Sequence, residues 1–153
     1  MVKKMDHSGI KDRVLVSACL VGVRSRYDGN QKLRKNLLKK LKGWAIIPVC
    51  PEQLGGMPTP RSRSTLIGGN GLDVLRGKAR VVDREGKDVT QSFIKGAKEA
   101  LNIARLNHIQ SVYLKEGSPS CGTKQCVRKM KKSGPGVTTA LFLKEGIEVI
   151  GVK

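Results

Sequence analysis

The chain has 153 residues, of which 39% are hydrophobic and 27% charged, a composition typical of one globular domain. It has no apolar run close to the roughly 20 residues that a membrane span needs. Its N-terminus also lacks the apolar segment of a secretory signal. We therefore expect a cytoplasmic protein without a membrane partner. A net charge of +18 favours a nucleotide or RNA partner, with a solvated basic surface as the alternative. Aromatic residues, at 3%, are too few for a protein that coats single strands by stacking.

The first half of the sequence alternates between predicted strands and a helix. Residues 1–12 form a predicted basic leader, and the apolar run over 13–19 predicts a strand buried on both faces. Leucines at helical spacing predict an amphipathic helix over 31–42. A second buried strand is predicted over 45–50, and Pro48 within it argues against a central position in the sheet.

The second half continues the alternation around two long loops. Residues 51–71 are rich in Gly, Pro, Ser and Arg and predict a long loop of functional type with little strand or helix. Thr90 is the predicted N-cap of a helix over 91–107. The other predicted elements are short strands within 72–83, a strand over 110–115, a second long loop over 117–136, a helix over 137–144 and a strand over 147–152.

This order of elements predicts a fold class. Alternating strands and helices indicate a single α/β domain over 13–153, with a mainly parallel sheet flanked by helices in Rossmann-like layers. In such a sheet the carboxyl ends of the strands share one edge, and ligands bind there. We therefore expect both long loops to surround a site at the carboxyl edge.

Three of the four cysteines follow predicted strands. Cys19 ends the first strand, Cys50 ends the second, and Cys121 lies shortly after the third, so all three are expected at the carboxyl edge. Three thiols suit a soft metal centre. Iron–sulfur clusters normally take four cysteines, so three would leave one iron open to substrate, whereas Cys126 as a fourth ligand would close the site. The spacing favours an iron–sulfur centre over zinc, and both over three unrelated core cysteines.

Polar residues accompany these cysteines. Glu52 follows the second cysteine closely and could act as a general acid or base, although an isolated loop Glu more often forms a cap or salt bridge. Ser118 and Ser120 could hydrogen-bond a substrate or relay a proton, and ordinary turn chemistry is the alternative for both. The candidate substrate-binding residues in loops at the same edge are Arg26, Asp28, Arg61 and Arg63. A surface cation is the alternative for each arginine, and a turn residue is the alternative for Asp28.

Six short segments occur along the chain in the order 16–20 (VSACL), 26–29 (RYDG), 49–52 (VCPE), 54–61 (LGGMPTPR), 86–90 (GKDVT) and 118–122 (SPSCG). With these segments the chain resembles the thiouracil desulfurase (TudS) family, formerly a domain of unknown function. The resemblance extends from about residue 13 to the C-terminus.

The resemblance implies an activity and a ligand set. Members of the family remove sulfur from thiolated uracil compounds at a [4Fe-4S] cluster held by three cysteines, without net redox change. The matching ligands here are Cys19, Cys50 and Cys121, with Glu52 as the acid/base carboxylate and Ser118, in preference to Ser120, as the catalytic serine. The implied substrate is thiouracil, thiouridine monophosphate or thiouridine in tRNA.

Two other functions are compatible with the sequence. The +18 charge would suit a nucleic-acid-binding protein with a structural metal site, although Glu52 and an open coordination position argue against it. A sulfur-transfer protein could use the same cluster in the reverse direction. Product analysis with thiolated and unthiolated substrates would distinguish sulfur removal from sulfur insertion.

Overall fold

The computed structural model of the protein describes residues 12–126 and 133–153. The predicted leader over 1–12 therefore lies, apart from Asp12, outside the described residues and stays a prediction. No helix among the described residues is long and apolar enough to cross a membrane. In chain order the elements are β1 (Arg13–Ser17), a 3₁₀ helix (Ala18–Val21), α1 (Lys35–Lys40), β2 (Ala45–Val49), α2 (Pro51–Leu54), β3 (Ser64–Ile67), α3 (Gly71–Leu75), β4 (Arg80–Asp83), α4 (Thr90–Leu106), β5 (Ser111–Lys115), β6 (Gln125–Cys126), β7 (Ser133–Gly134), α5 (Val137–Lys144) and β8 (Glu148–Val152).

A four-stranded sheet in the order β2-β1-β5-β8 forms the centre of the fold. All neighbouring strands in it pair in parallel, which confirms the predicted α/β class with a mainly parallel sheet. Pro48 lies in β2, an edge strand, as its missing N–H group requires. β3 and β4 form a separate two-stranded antiparallel sheet and are connected through α3, and the short strands β6 and β7 pair antiparallel in a third sheet. Val82 also forms an antiparallel bridge with Asp88, so residues 83–87 form a hairpin turn after β4.

Side chains alternate along each strand, so successive residues of a strand pack on opposite faces of the sheet. Leu15, Val112 and Leu114 point to one face and pack with α4 and α5, where Phe93 and Phe142 are almost fully buried. On the other face, Val14, Val16 and Tyr113 pack with Leu37 and Leu41 from the α1 segment. Helical segments therefore pack against both faces of the sheet.

The predicted helix over 31–42 is too long. Only Lys35–Lys40 is helical, because the preceding residues are tied to the 3₁₀ helix. The backbone N–H of Lys32 donates to the carbonyl of Cys19, and that of Arg34 donates to the carbonyl of Leu20. These bonds hold the chain extended and attach this segment to the end of β1.

The prediction of a long loop with little strand or helix over 51–71 is wrong, and of the short strands predicted within 72–83 only β4 is found. Residues 51–71 contain α2 and β3, and α3 precedes β4 in the following segment. Pro51 occupies the first turn of α2, where its missing N–H is harmless. Asn70 caps α3 in a reciprocal box with Asp73, a sequence signal that the periodicity argument overlooks because the helix is so short.

Thr90 is not the N-cap of α4, because Val89 occupies that position. The Thr90 hydroxyl instead accepts a hydrogen bond from the Val81 N–H at 2.9 Å, which joins the helix to β4. The Asp88 carboxylate accepts the Thr90 N–H at 2.9 Å. Hydrogen bonds from the Thr90 side chain and backbone hold the pKa of Asp88 below its ordinary value.

Asp88→Ala is therefore expected to lower the free energy of unfolding by at most about 1 kcal/mol, measured by urea denaturation at pH 7. Because the folded-state pKa is lowered, the stabilisation is present at neutral pH and disappears as the pH falls through that value. Asp88→Asn keeps an acceptor and should be less destabilised. Equal stability of Asp88→Ala and the exposed hairpin control Glu85→Ala would contradict this role.

Candidate metal centre and active site

A cavity of about 280 Å³ lies where β1, β2 and β5 end. Residues that follow each of these strands line the cavity, and the segment that leads into β3 forms a further wall. Cys19, Cys50 and Cys121 are all among the lining residues. The carboxyl edge of the sheet thus brings the three predicted ligand positions into one cavity.

Each cysteine has a different local setting. Cys19 lies in the 3₁₀ helix that follows β1, and not in the strand as predicted, because the chain turns after Ser17. Cys50 precedes the first turn of α2, and Cys121 lies in the loop after β5. All three are free thiols, and Cys19 and Cys121 are buried. Cys126 is in β6, and the structure describes its backbone position only.

The surroundings of the thiols disfavour bare thiolates. Burial is the largest cause that raises the pKa of all three. Negative charge on Cys50 further raises the pKa of Cys19 and of Cys121, and Glu52 does the same to Cys50. Three such thiolates would be stable together only with a positive group between them, and a bound metal centre supplies one.

The spacing of the ligands bears on the type of metal centre. Over 12–126 and 133–153, no three His, Cys, Asp or Glu side chains are close enough together to hold a single metal ion. A tetrahedral zinc ion requires such convergence. An iron–sulfur cluster takes each cysteine on a different iron atom, so three thiols spread around one cavity fit it better.

Glu52 is ion-paired and lies in the cavity wall. It belongs to the first turn of α2, and its Oε2 is 2.7 Å from Nη2 of Arg61. The Glu52 side chain is 16% exposed and that of Arg61 is 3% exposed. Both residues line the cavity that holds the three thiols.

The two candidate serines differ in position. Ser118 lines the cavity, and its Oγ accepts backbone N–H groups of Ser120 and Cys121, each at 3.2 Å. Ser120 is almost fully buried, and its hydroxyl lies 2.7 Å from that of Thr138, away from the cavity lining. Only Ser118 is therefore placed to meet a ligand in the cavity.

Arg26 and Tyr27 form another part of the wall, and the next residue, Asp28, is exposed to solvent. The Nε of Arg26 is 3.5 Å from Oδ1 of Asp28, within ion-pair distance but without hydrogen-bond alignment. Asp28 accepts the Asn30 N–H and does not line the cavity. The Cζ atoms of Arg26 and Arg63 lie 5.5 and 5.2 Å from the centre of the Tyr27 ring.

Unsatisfied polar atoms concentrate at this cavity. In the described part of the chain, three buried side-chain N or O atoms lack a hydrogen-bond partner: Nε of Arg26, Nε of Arg61 and Oγ of Ser64. All three residues line the cavity. Because buried polar groups are almost always hydrogen-bonded, this clustering indicates a wall that a polar ligand completes.

Sequence reasoning overlooked several wall residues, among them Ser17, Tyr27, Ser64 and Lys115. Ser17 accepts the Lys115 N–H at 2.9 Å, and the nearby Ser17 hydroxyl opposes part of the rise in the pKa of the Cys121 thiol. Burial, with the charge of Arg34, lowers the pKa of Lys115. The sequence signal that could have identified Ser17 as a wall residue is that it is a small polar residue at the end of a strand of apolar residues.

Backbone contact between α2 and α4 supports the metal-ligand and carboxylate positions. A Cβ added to Gly96 in α4 would overlap the carbonyl oxygen of Pro51, and one added to Gly55 would overlap that of Ser92. Only glycine allows so close an approach. Cys50 and Glu52 flank Pro51, so this contact fixes the backbone position from which both side chains extend.

The fold and the cavity define an α/β protein with a three-thiol site at the carboxyl edge of a parallel sheet. A family model described as 2-thiouracil desulfurase matches residues 14–153. The chain belongs to the 2-thiouracil desulfurase family, which confirms the resemblance found in its sequence motifs.

Two relatives cover most of the chain. The uncharacterized protein YbbK of Bacillus subtilis (strain 168) is 40% identical over 141 residues, which is 90% of this chain and 93% of YbbK. A solved structure of a [4Fe-4S]-dependent thiouracil desulfidase, TudS, matches with a TM-score of 0.76 at 39% identity. The match covers 92% of this chain and 91% of the TudS chain.

We expect Gly96→Ala to lower the free energy of unfolding by about 1–3 kcal/mol, because the new methyl group forces α2 away from α4. Urea denaturation measures the loss. The matched control is Lys95→Ala, an exposed position on the same helix, which should stay close to the parent protein. Equal stability of the two variants would contradict direct backbone contact between the helices.

Proposed function

We propose that this chain, over residues 13–153, is a [4Fe-4S]-dependent desulfidase that removes sulfur from a thiolated uracil compound and releases sulfide without net redox change. Membership of the 2-thiouracil desulfurase family and likeness to TudS support this proposal. The observation that carries it is that three free thiols line one cavity beside a carboxylate. In this proposal Cys19, Cys50 and Cys121 hold the cluster and Glu52 is the carboxylate.

The donor set fits the cluster and leaves one of its four irons without a protein thiolate. Bound there, the cluster would supply a soft Lewis-acid position suited to a thiocarbonyl sulfur. The net reaction replaces the C=S group by C=O, consumes one water and releases hydrogen sulfide. Atoms and charge balance without an oxidant or reductant, so the protein needs only to move protons and hold the substrate.

Glu52 is the proposed general base and acid. Its carboxylate would take a proton from the water that attacks the thiocarbonyl carbon and return it to the departing sulfur. Ser118 is the proposed second catalytic residue. Since its Oγ already accepts two backbone N–H groups, its own hydrogen is free to be donated to the pyrimidine ring.

The charge of the cavity favours an anionic substrate. Cationic side chains in the wall outnumber anionic ones, and Arg61 is neutralised by Glu52. Arg26 and Lys115 line the cavity and are placed to meet a phosphate. Arg26 is the proposed substrate-binding residue, and the proposed part of Asp28, which lies outside the lining, is its ion pair with Arg26. We therefore favour thiouridine monophosphate over the free base thiouracil. Thiouridine in tRNA is a further candidate, which the +18 charge supports.

A cytoplasmic location fits the proposal. The free thiols of the cavity would be kept reduced there, and an iron–sulfur cluster would be protected from oxidation. No partner protein is proposed.

Cysteine substitution tests the cluster. After anaerobic reconstitution with iron and sulfide, the parent protein is expected to release sulfide from 2- or 4-thiouridine monophosphate. Cys19→Ala, Cys50→Ala and Cys121→Ala should each lose the cluster absorbance and the activity, because each removes one iron ligand. Cys126→Ala is the matched control and should keep both. Loss of the cluster in the control would contradict a three-cysteine site, and RNA binding without sulfide release would favour the binding-protein alternative.

Glu52→Gln tests the acid/base role. The amide keeps the shape and one hydrogen bond to Arg61 but cannot accept a proton, so kcat should fall by about 10²–10⁴-fold. Iron and sulfide content should equal that of the parent protein. Glu99→Gln, an exposed carboxylate on α4, is the control and should leave kcat unchanged. Unchanged kcat in Glu52→Gln would remove this residue from the mechanism.

A further inference from the structure

Arg61 is the most heavily bonded side chain in the cavity wall. Its Nη1 donates to the carbonyl of Pro58 at 3.2 Å and to the hydroxyl of Thr59 at 3.0 Å. Its Nη2 donates to the carbonyl of Ser25 at 2.9 Å and to Oε2 of Glu52 at 2.7 Å. Both terminal nitrogens are thus occupied by the protein itself.

The same Nη2 also lies 3.8 Å from Sγ of Cys50. One nitrogen therefore contacts the proposed acid/base carboxylate, a proposed cluster ligand and the Ser25 carbonyl. The Ser25 carbonyl in turn accepts the Cys50 thiol at 3.6 Å. Arg61 ties these groups together at a single point on the cavity wall.

The backbone around Arg61 strengthens this link. Its own N–H donates to the carbonyl of Tyr27 at 2.8 Å, which attaches the segment before β3 to the loop between β1 and α1. Thr59, which accepts Nη1, also accepts Nε2 of Gln53 in α2 at 2.7 Å. The loop after β1, helix α2 and the segment before β3 are therefore joined through Arg61 and its neighbour Thr59.

This pattern differs from that of a substrate-binding arginine. The Arg26 side chain is 20% exposed at the cavity, its ion pair with Asp28 is misaligned, and its guanidinium group lies over the Tyr27 ring. Arg61 is 3% exposed and directs its planar fork to fixed protein acceptors. Only its Nε lacks a partner.

We propose that Arg61 is a positioning residue: its two terminal nitrogens orient the Glu52 carboxylate relative to Cys50 and do not bind the substrate. This inference rests on the proposed function of the cavity and replaces the substrate-binding role that the sequence suggested for Arg61. A carboxylate held at one oxygen presents its other oxygen to the cavity in a defined direction. Misplacement of a catalytic group by about 1 Å can reduce the rate about 10²-fold, so such orientation matters.

Arg61→Lys tests the proposal, because lysine keeps the charge but cannot reach four acceptors from a planar fork. In the reconstituted protein, we expect kcat for 4-thiouridine monophosphate to fall by about 10–100-fold. The KM, the Kd for uridine monophosphate measured by calorimetry, and the iron content should stay within about threefold of the parent values. Arg84→Lys, an exposed position on the β4 hairpin, is the matched control.

A weaker Kd for uridine monophosphate, with kcat preserved, would show that Arg61 binds substrate and would overturn the proposal. Thr59→Val gives a milder test should Arg61→Lys fold poorly. It removes one hydrogen bond to Nη1 and is expected to lower kcat by about threefold without weakening the binding of uridine monophosphate. Weaker binding in this variant would likewise overturn the proposal.

A double-mutant cycle separates action through Glu52 from independent effects. If Arg61 works through that carboxylate, the double variant Arg61→Lys, Glu52→Gln should have a kcat within about threefold of that of Glu52→Gln alone. Multiplicative losses would overturn the positioning role. Failure of the parent protein to release sulfide would instead overturn the proposed function, and with it the role of Arg61. Release by the parent protein together with a binding defect in Arg61→Lys overturns the Arg61 proposal alone.

Discussion

Parallel pairing of β1 with both β2 and β5 is the constraint on which the site depends. Parallel strands end at the same edge, so the residues that follow them become neighbours although they are far apart in sequence. Cys19, Cys50 and Cys121 come together in this way. An antiparallel β2 would place Cys50 at the opposite end of the sheet, and no cavity lined by three thiols would exist.

Strand pairing alone gives the position of each thiol only coarsely, and close contacts refine it. The Gly55 and Gly96 contacts set α2 against α4, and the hydrogen bonds of Ser118 shape the backbone before Cys121. Arg61 then joins α2 to the loop after β1. A buried arginine and a buried carboxylate each stabilise the other, since either alone would be an uncompensated charge in a cavity.

The positions of the two helices α4 and α5 were predictable from the sequence, whereas the leucine pattern over 31–42 gave too long a helix. The helix over 137–144 is observed as Val137–Lys144, and α4 differs from its prediction by one residue at each end. The short α2 and α3 were not predictable from periodicity because four or five residues do not complete enough turns to show a pattern. Their cues are local instead, Pro51 at a helix start and Asn70 as a cap.

The sequence by itself determined the chemistry that is available: which residues are thiols and carboxylates, and how large the positive charge is. These are properties of residue type and local pattern. The sequence predicted the burial of β1 correctly but not that of β2, of which only Val49 is buried. Only the tertiary structure decided which groups face a ligand and which are already bonded within the protein. Ser118 and Ser120 are two residues apart, yet one lines the cavity and the other bonds Thr138. Arg26 and Arg61 carry the same charge but differ in their partners, because partners depend on distances between segments that meet only after folding.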